Sequence, residues 1–176
     1  ADLTTIYSVL QEDTYILEGV VVTSQKREQK NKDVPIAITS YGSDFIENQG
    51  IFEYDALSEY VPGFQVQIQS VNNPGVVIRG ITSDSGDSRV EPRVSIFQDG
   101  VSISKSRGSV VELYDIERIE VLKGPQGTLF GRGAQIGAMH IIQNKAKNET
   151  SSSIKFGYGN FNQFLATEHF NTPLVE

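Results

Sequence analysis

Few side chains in this sequence have the types and spacing that chemical catalysis requires. The chain has two histidines, His140 and His169, and no cysteine. It contains neither an H-E-x-x-H zinc motif nor a G-x-S-x-G nucleophile turn. Carboxylates are plentiful, but no spacing singles out an acid–base pair, and the apolar neighbours of His140 predict a packed or hydrogen-bonded imidazole. The sequence therefore predicts no enzyme, no catalytic residue, no metal site and no cofactor.

A dense group of glycines is the next candidate for chemistry. Five glycines fall within the fourteen residues from Gly124 to Gly137. This density is too high for an ordinary helix and suits tight turns or backbone with positive φ. From Gly131 onward the run approximates the phosphate-binding pattern G-x-G-x-x-G, but its last glycine comes one residue late and no lysine–serine pair follows.

Short strands are predicted on both sides of this glycine-rich segment. Ile119 and Val121 alternate with Arg118 and Glu120, the period-two pattern of a half-buried strand. An apolar strand resumes at residues 139–143. Other strands are predicted at residues 20–23, 35–39, 64–69, 76–79 and 93–98.

Two helices are predicted between the second and third of these strands. Asp44 is the expected N-cap of the first helix, and Gly50 is its expected C-terminal stop. The second helix carries Leu57 and Val61 on one face and ends at Pro62.

Composition excludes several classes of protein. The net charge of −7 argues against a general nucleic-acid binder, which normally carries a basic patch. No stretch approaches about eighteen apolar residues, so no transmembrane helix is predicted. The first residues lack the basic start and apolar run of a signal peptide. We therefore expect a processed mature protein or a piece of a longer one.

The residues after 148 have a different pattern. Ile154, Phe156 and Tyr158 fall on one face of a predicted strand, opposite Lys155 and Gly157. A turn and a second strand at residues 163–170 follow. Alternating segments of about ten residues with an aromatic face are typical of membrane β-barrel strands. An ordinary surface hairpin has the same periodicity, so the pattern alone leaves both open.

Several motifs in order give the sequence a family resemblance. The I-R-G at residues 78–80, the Q-D-G at 98–100 and the segment 116–144 resemble the plug domain of TonB-dependent outer-membrane receptors. The resemblance implies an α/β (α+β) fold, a small mixed β-sheet with short helices and long loops, lodged in a barrel of about 22 strands. Residues 18–148 would form the plug, and 149–176 the first strands of a truncated β-barrel. Residues 1–17 show no clean periodicity, which predicts a mobile N-terminal arm.

The start of the plug resembles the energy-coupling segment called the TonB box. Its residues are Glu18, Gly19, Val20, Val21, Val22, Thr23 and Ser24. β-Branched residues near a chain terminus can add as a strand to the sheet edge of a partner, so the resemblance implies TonB as a partner. The alternative is that these residues are the first strand of the domain sheet. Residues 13–17 are a second, weaker candidate for the box.

Two basic residues stand in family motifs. Arg79 belongs to I-R-G, and Lys123 precedes G-P. The resemblance implies that both face carboxylates on the barrel wall. Lysine at the second position keeps the charge of the commoner arginine but loses its bidentate fork. Solvated surface cations are the alternative.

Ligand contacts are predicted in the polar loops. If strands 64–69, 76–79 and 93–98 follow one another antiparallel, loops 70–75 and 102–109 share one end, and loop 82–91 lies at the other. The N-terminal arm must reach the periplasm, so we expect the first pair of loops to face outward. Amide, hydroxyl and cationic groups there predict binding of an anionic, oxygen-rich ligand. The candidates are Gln69, Asn72, Asn73, Ser104, Lys105 and Arg107, with a solvated loop as the alternative.

The resemblance implies a function in transport. The parent protein would lie in the outer membrane with its N-terminus facing the periplasm. The plug would gate its own β-barrel and take part in ligand binding and energy-coupled uptake, with a ferric siderophore as the expected ligand. The alternative is a free-standing periplasmic binding or signalling module, which explains the acidic charge but leaves the barrel-like residues 151–170 unexplained.

Overall fold

The strands of this chain are short and are distributed over four sheets. The structure is a computed structural model, and it describes residues 21–22, 29–30, 33–53, 55–70, 73–82, 92–103, 105, 108 and 113–173. The strands are β1 (Val21–Val22), β2 (Gln29–Lys30), β3 (Ile38–Gly42), β4 (Phe64–Ser70), β5 (Asn73–Ile78), β6 (Ile81–Thr82), β7 (Val94–Gln98), β8 (Val101–Ile103), β9 (Ile116–Lys123), β10 (Gly137–Gln143), β11 (Ser151–Gly159) and β12 (Gln163–Asn171). The helices are α1 (Ser43–Asn48) and α2 (Gly127–Phe130), with 3₁₀ turns at Ala56–Glu59 and Asn160–Asn162.

The largest sheet is mixed and has five strands in the order β3-β9-β10-β7-β8. β10 pairs parallel with β7, and the other neighbours are antiparallel. β3, β7 and β10 therefore begin at the end where β9 finishes, which we call the Lys123 end. The opposite end, where β10 finishes, is the Gln143 end. The predicted small mixed sheet is confirmed.

The main hydrophobic core covers one face of this sheet. Ile119 and Val121 of β9 and Met139 and Ile141 of β10 are nearly inaccessible to water. They belong to one buried cluster with side chains from α1, from the 3₁₀ turn and from β4 and β5. Each large aliphatic side chain buried here stabilises the fold by about 1.5–3 kcal/mol. The core thus holds the short elements that could not persist alone.

The other face of the sheet is also covered, which corrects one prediction. Glu120 was expected on the exposed side of a half-buried strand, but its exposed fraction is 0%. It shares this second face with Leu122 and with Phe130 and Ala138 of a smaller apolar cluster. β9 is therefore buried on both faces. Its alternation of charged and apolar residues had predicted that one face would be exposed.

The predicted helices are partly right. α1 ends in a Schellman motif, with the amide of Ile51 donating to the carbonyl of Ile46 at 3.0 Å and Gly50 at φ +64°. The predicted cap Asp44 is wrong, because Gly42 is the N-cap and Asp44 lies in the first turn. The second predicted helix is only the 3₁₀ turn Ala56–Glu59, although Leu57 is fully buried as its pattern required.

A second, three-stranded sheet has the order β4-β5-β6. Its antiparallel β4 and β5 were expected to continue antiparallel into the strand at 93–98. That expectation is wrong, because β7 lies in the five-stranded sheet between β10 and β8. The end of the domain at which each loop attaches to β7 or β8 is therefore set by the five-stranded sheet.

β11 and β12 form a separate antiparallel hairpin. One face carries Ile154, Phe156 and Tyr158 opposite Glu168, Ala166 and Phe164, and most of these side chains are exposed. The other face carries the alternate residues of both strands, which are mostly polar residues and glycines. The 3₁₀ turn that joins the strands places Phe161 at φ 59°. The predicted alternation is confirmed.

Candidate functional site

Arg79 and Lys123 meet at one corner of the fold. Lys123 ends β9, and its Nζ donates to Thr39 Oγ1 at 2.9 Å and to the carbonyl of Pro62 at 3.3 Å. Arg79 follows β5 at φ 52°, and its amide donates to the carbonyl of Gly63 at 2.7 Å. The Lys123 side chain and the Arg79 backbone thus contact the same Pro-Gly turn.

Gly124 brings the two cations together. It follows Lys123 at φ +122°, and a Cβ placed on it would lie 3.3 Å from Nη1 of Arg79. The guanidinium therefore lies against the turn that Lys123 enters. Within the described residues neither cation forms an ion pair with a carboxylate. Two neighbouring positive charges with neutral acceptors attract an anion, so this corner, the Arg79–Lys123 corner, is suited to bind carboxylates.

The glycine-rich segment joins the parts of the fold. A Cβ on Gly137 would lie 2.5 Å from Cδ1 of Ile78 and 2.5 Å from the carbonyl oxygen of Leu122. A Cβ on Gly133 would lie 2.7 Å from Oγ of Ser95. The predicted tight backbone is confirmed, with the single helical turn α2 inside it. The glycines permit close approach of the second sheet and of β7.

A buried polar row crosses the second face of the main sheet. Ser40, Glu120 and His140 stand side by side on β3, β9 and β10, and all three are buried. Arg118 Nε donates to Glu120 Oε1 at 2.9 Å. The His140 ring lies 4.7 Å from the Phe130 ring and 4.9 Å from the Phe97 ring. The prediction of a packed imidazole is confirmed, whereas the buried carboxylate was missed.

Three of the six predicted ligand residues lie in parts that the structure does not describe. Asn72, Ser104 and Arg107 are outside the described residues, and only the backbone is described for Gln69 and Asn73. Lys105 is exposed. The proposed ligand set therefore stays a prediction.

The strand directions correct the predicted placement of the loops. β7 begins at the Lys123 end, and β8 runs back toward that end and finishes at Ile103. The residues that precede β7 and those that follow β8 therefore attach to the same end of the sheet. Loop 82–91 was expected at the end opposite loop 102–109, but the start of β7 and the end of β8, where these loops attach, lie at one end. The cause is the position of β7 in the five-stranded sheet.

Only two residues of the predicted TonB box are described. Val21 and Val22 form β1, which pairs with β2 in a two-stranded sheet, and Val22 is fully buried. Glu18, Gly19, Val20, Thr23 and Ser24 lie outside the described residues, as do residues 1–17. Among the described residues β1 pairs with β2 and not with the main sheet, and the assignment of residues 18–24 as the box stays a prediction.

Polar contacts join the hairpin to the rest of the fold. Lys155 Nζ lies 2.6 Å from Oε1 of Glu47 on α1. His169 Nε2 lies 3.5 Å from Asp115 Oδ2. The Tyr114 hydroxyl donates to the carbonyl of Glu168. The polar face of the hairpin thus lies on the domain, and its aromatic face points away.

Two structural features are absent from the part of the chain that the structure describes. No group of three histidine and carboxylate side chains there has a metal-binding arrangement. No helix among these residues is long and apolar enough to cross a membrane.

Comparison with known proteins places these features in a family. Residues 30–138 match the model of the TonB-dependent receptor plug domain. The pesticin receptor of Yersinia pestis is 24% identical over 164 residues, covering 89% of this chain and 23% of the receptor. The vitamin B12 transporter BtuB of Vibrio vulnificus is 29% identical over 168 residues, covering 89% of this chain and 26% of the transporter. The chain thus spans about a quarter of the length of the curated relatives it matches.

A solved structure has the same fold. The crystal structure of the ferric yersiniabactin uptake receptor FyuA from Yersinia pestis superposes with a TM-score of 0.72 at 24% identity. The match covers 79% of this chain and 22% of that receptor. The relatives named here are receptors and a transporter, and none is named as an enzyme.

Proposed function

Since this chain belongs to the TonB-dependent receptor plug domain family, we propose that it gates an outer-membrane β-barrel and takes part in ligand binding and energy-coupled uptake. Residues 18–148 are the plug, and 149–176 are the first strands of its own barrel. Residues 1–17 are an arm on the periplasmic side. The chain catalyses no chemical step.

The observation that carries this proposal is the two-faced hairpin. Its polar face rests on the plug through Lys155 and His169, and its aromatic face is exposed. A strand of a membrane barrel needs this arrangement, because its outer face meets lipid and its inner face meets a polar lumen.

The Arg79–Lys123 corner supports a position inside a barrel. Lys123 donates to two neutral acceptors, the Arg79 guanidinium lies against Gly124, and neither cation forms an ion pair with a carboxylate among the described residues. In the family motifs these positions face carboxylates of the barrel wall. We propose that Arg79 and Lys123 bind such carboxylates and thereby fix the plug in its closed position.

The direction of the chain supports an orientation. β10 leaves the main sheet at the Gln143 end, and the hairpin follows directly. The first barrel strand of this proposal therefore begins near the Gln143 end, which we assign to the periplasmic side. The Lys123 end faces outward and carries the loops that we propose bind ligand, including Lys105.

The cargo is proposed to be a ferric siderophore. FyuA takes up ferric yersiniabactin, and a Vibrio vulnificus relative carries vitamin B12. An anionic, oxygen-rich ligand suits the cationic side chain of Lys105 and the amides and hydroxyls of the same loops. TonB is the proposed partner for energy transfer.

Uptake by cells tests the proposal directly. The full-length receptor is expressed in a strain that lacks its own siderophore receptors. Ferric yersiniabactin, a ferric trihydroxamate, a ferric tris-catecholate and cyanocobalamin are supplied with a radioactive metal. We expect TonB-dependent uptake of one ferric siderophore. Uptake of cyanocobalamin alone would reject the siderophore, and uptake that persists without TonB would reject energy coupling.

A further inference from the structure

A cavity lies between the plug and the hairpin. It has a volume of about 400 Å³ and is lined by α1, the segment 113–115 and the polar face of β11 and β12. The buried side chains of Ile46 and Leu113 form part of its floor. This volume falls within the range of about 300–1,000 Å³ that small-molecule sites occupy. We call this space the hairpin cavity.

The hairpin side of the cavity carries more polar groups than the outside of the hairpin. Ser153, Lys155 and Thr167 line it, together with Leu165 and Phe156. Tyr158 and Phe164 on the opposite face are 76% and 66% exposed. In a barrel wall the aromatic face meets lipid, so the hairpin cavity lies between wall and plug.

Two partly exposed ion pairs cross this space between the hairpin and the plug. The side chains of Glu47 and Lys155 are 56% and 54% exposed, although their charged atoms are 2.6 Å apart. The Asp115–His169 contact is longer, at 3.5 Å. Exposed ion pairs contribute little stability because water screens them and their long side chains lose entropy on pairing. The hairpin cavity can therefore widen without disrupting the apolar core.

The position of the hairpin cavity is opposite to the proposed ligand loops. α1 follows the end of β3 at the Gln143 end, and Asp115 precedes β9 at the same end. Cargo bound at the Lys123 end must pass the plug before it reaches the Gln143 end. The hairpin cavity is space that already exists on that side.

We infer that the hairpin cavity is the inner part of the cargo route and that the Glu47–Lys155 pair closes it. This inference rests on the proposed function. When Lys155 leaves Glu47, its ammonium group can bind the oxygens of an anionic cargo, and Ser153 and Thr167 supply hydroxyl groups beside it. The Glu47–Lys155 pair is thus a gate whose cation changes partner during transport.

A cleavable tether across the gate tests this inference. In the full-length receptor, Glu47→Cys and Lys155→Cys are joined by a bis-maleimide that contains a disulfide. Uptake and surface affinity are measured with the panel member that the parent receptor imports. We expect uptake to fall at least about tenfold, because a gate that cannot open limits turnover. The surface Kd should change less than about twofold, and reduction of the tether should restore uptake to the level of the untethered double-cysteine variant, which lacks the Lys155 ammonium group.

The matched control uses the same tether to join two positions at the base of the hairpin. Thr150 and Thr172, whose hydroxyl oxygens are 3.3 Å apart, are exposed and lie at the base of the hairpin. Thr150→Cys with Thr172→Cys receives the same tether and should keep uptake near the untreated level. Uptake that continues with the Glu47–Lys155 tether intact overturns the inference, as does an equal loss with the control tether. If the parent receptor imports no panel member, the proposed function itself fails.

Discussion

At the scale of single residues, close backbone contacts explain the glycine-rich segment better than flexibility does. Gly137 is the tightest case, because one of its two nearest atoms is a backbone oxygen of Leu122 that cannot rotate away. Gly127 lies in the same segment as Gly137, but a Cβ added to it would meet nothing within 4 Å. Substitutions at these two glycines therefore distinguish the effect of close packing from the effect of replacing a glycine as such.

Gly137→Ala is expected to destabilise the chain by about 1–3 kcal/mol, the usual cost of forcing an extra carbon into a packed core. Gly127→Ala should stay within about 0.5 kcal/mol of the parent, because it adds a methyl group to open space. Urea unfolding of the 176-residue chain measures both. Equal effects of the two substitutions would refute the role of close approach.

Tyr41 gives the fold a dependence on alkaline pH. Its hydroxyl donates to the carbonyl of Tyr60 at 2.6 Å, and burial raises the pKa of Tyr41 above its ordinary value of 10.0. Between the unfolded and folded pKa values the unfolded chain binds fewer protons, so stability falls as the pH rises through that interval. Below pH 10.0 this contribution is fully present.

Tyr41→Phe should therefore flatten the alkaline loss of stability. Near pH 7 the variant loses about 0.5–1.5 kcal/mol with the hydrogen bond. Between about pH 9 and pH 11 its free energy of unfolding should fall less than that of the parent, since it lacks the titrating hydroxyl. Urea unfolding across this range checks the difference. Parallel curves for parent and variant would contradict the assignment to Tyr41.

At the scale of elements, local patterns predicted the strands well and their partners poorly. Alternation located β9, and β-branched or apolar runs located β4, β7 and β10. Alternation reports the two faces of one strand, however, and carries no information about what covers the charged face. Glu120 was therefore placed in water, although Arg118 and the neighbouring strands bury it.

Long-range pairing explains the other errors. No local signal in the sequence shows that β7 lies beside β10. The paired residues of these two strands are forty-three positions apart in the chain, as in Val94 with Gly137. The Arg79–Lys123 corner was recognised as a pair of motif residues, but its neutral acceptors come from elsewhere, at Thr39 and Pro62. Such contacts follow from tertiary packing, which a single sequence does not encode in its periodicity.

The proposed TonB box gives the first prediction at this scale. Val21 pairs with Lys30 in β1–β2, and adding a strand to TonB requires its backbone amide. Val21→Pro removes that donor and should abolish uptake while the surface Kd is retained. Val21→Ile keeps the amide and the β-branch and is the matched control. Normal uptake by the proline variant would rule out residues 18–24 as the box.

The hairpin of β11 and β12 gives the second prediction at the scale of elements. Among the described strands β11 and β12 pair only with each other, and an isolated two-stranded hairpin is marginally stable in water. In the isolated chain its amides should exchange with solvent much faster than those of β9 and β10, and detergent micelles should slow this exchange by covering the aromatic face. Strong protection in a monomer without detergent would contradict the assignment to a barrel wall.

At the scale of the whole molecule, different features lie at the two ends of the main sheet. The Arg79–Lys123 corner, the glycine-rich segment and the starts of β3, β7 and β10 lie at the Lys123 end. α1 and the strand end that leads to the hairpin lie at the Gln143 end. The position of β7 therefore brings the start of β7 and the end of β8, to which loops 82–91 and 102–109 attach, to the same end of the sheet.

The whole-molecule prediction is that cations at the Lys123 end control ligand affinity and those at the Gln143 end do not. Lys105→Ala with Arg107→Ala in the full-length receptor should raise the surface Kd for an anionic ferric siderophore by about tenfold, since charged hydrogen bonds contribute about 1.5–3 kcal/mol each before screening. Lys145→Ala with Lys147→Ala makes the same change of charge after β10 and should leave the Kd within about twofold. If the second pair weakens binding and the first does not, the Gln143 end is the outward face and the proposed orientation is inverted.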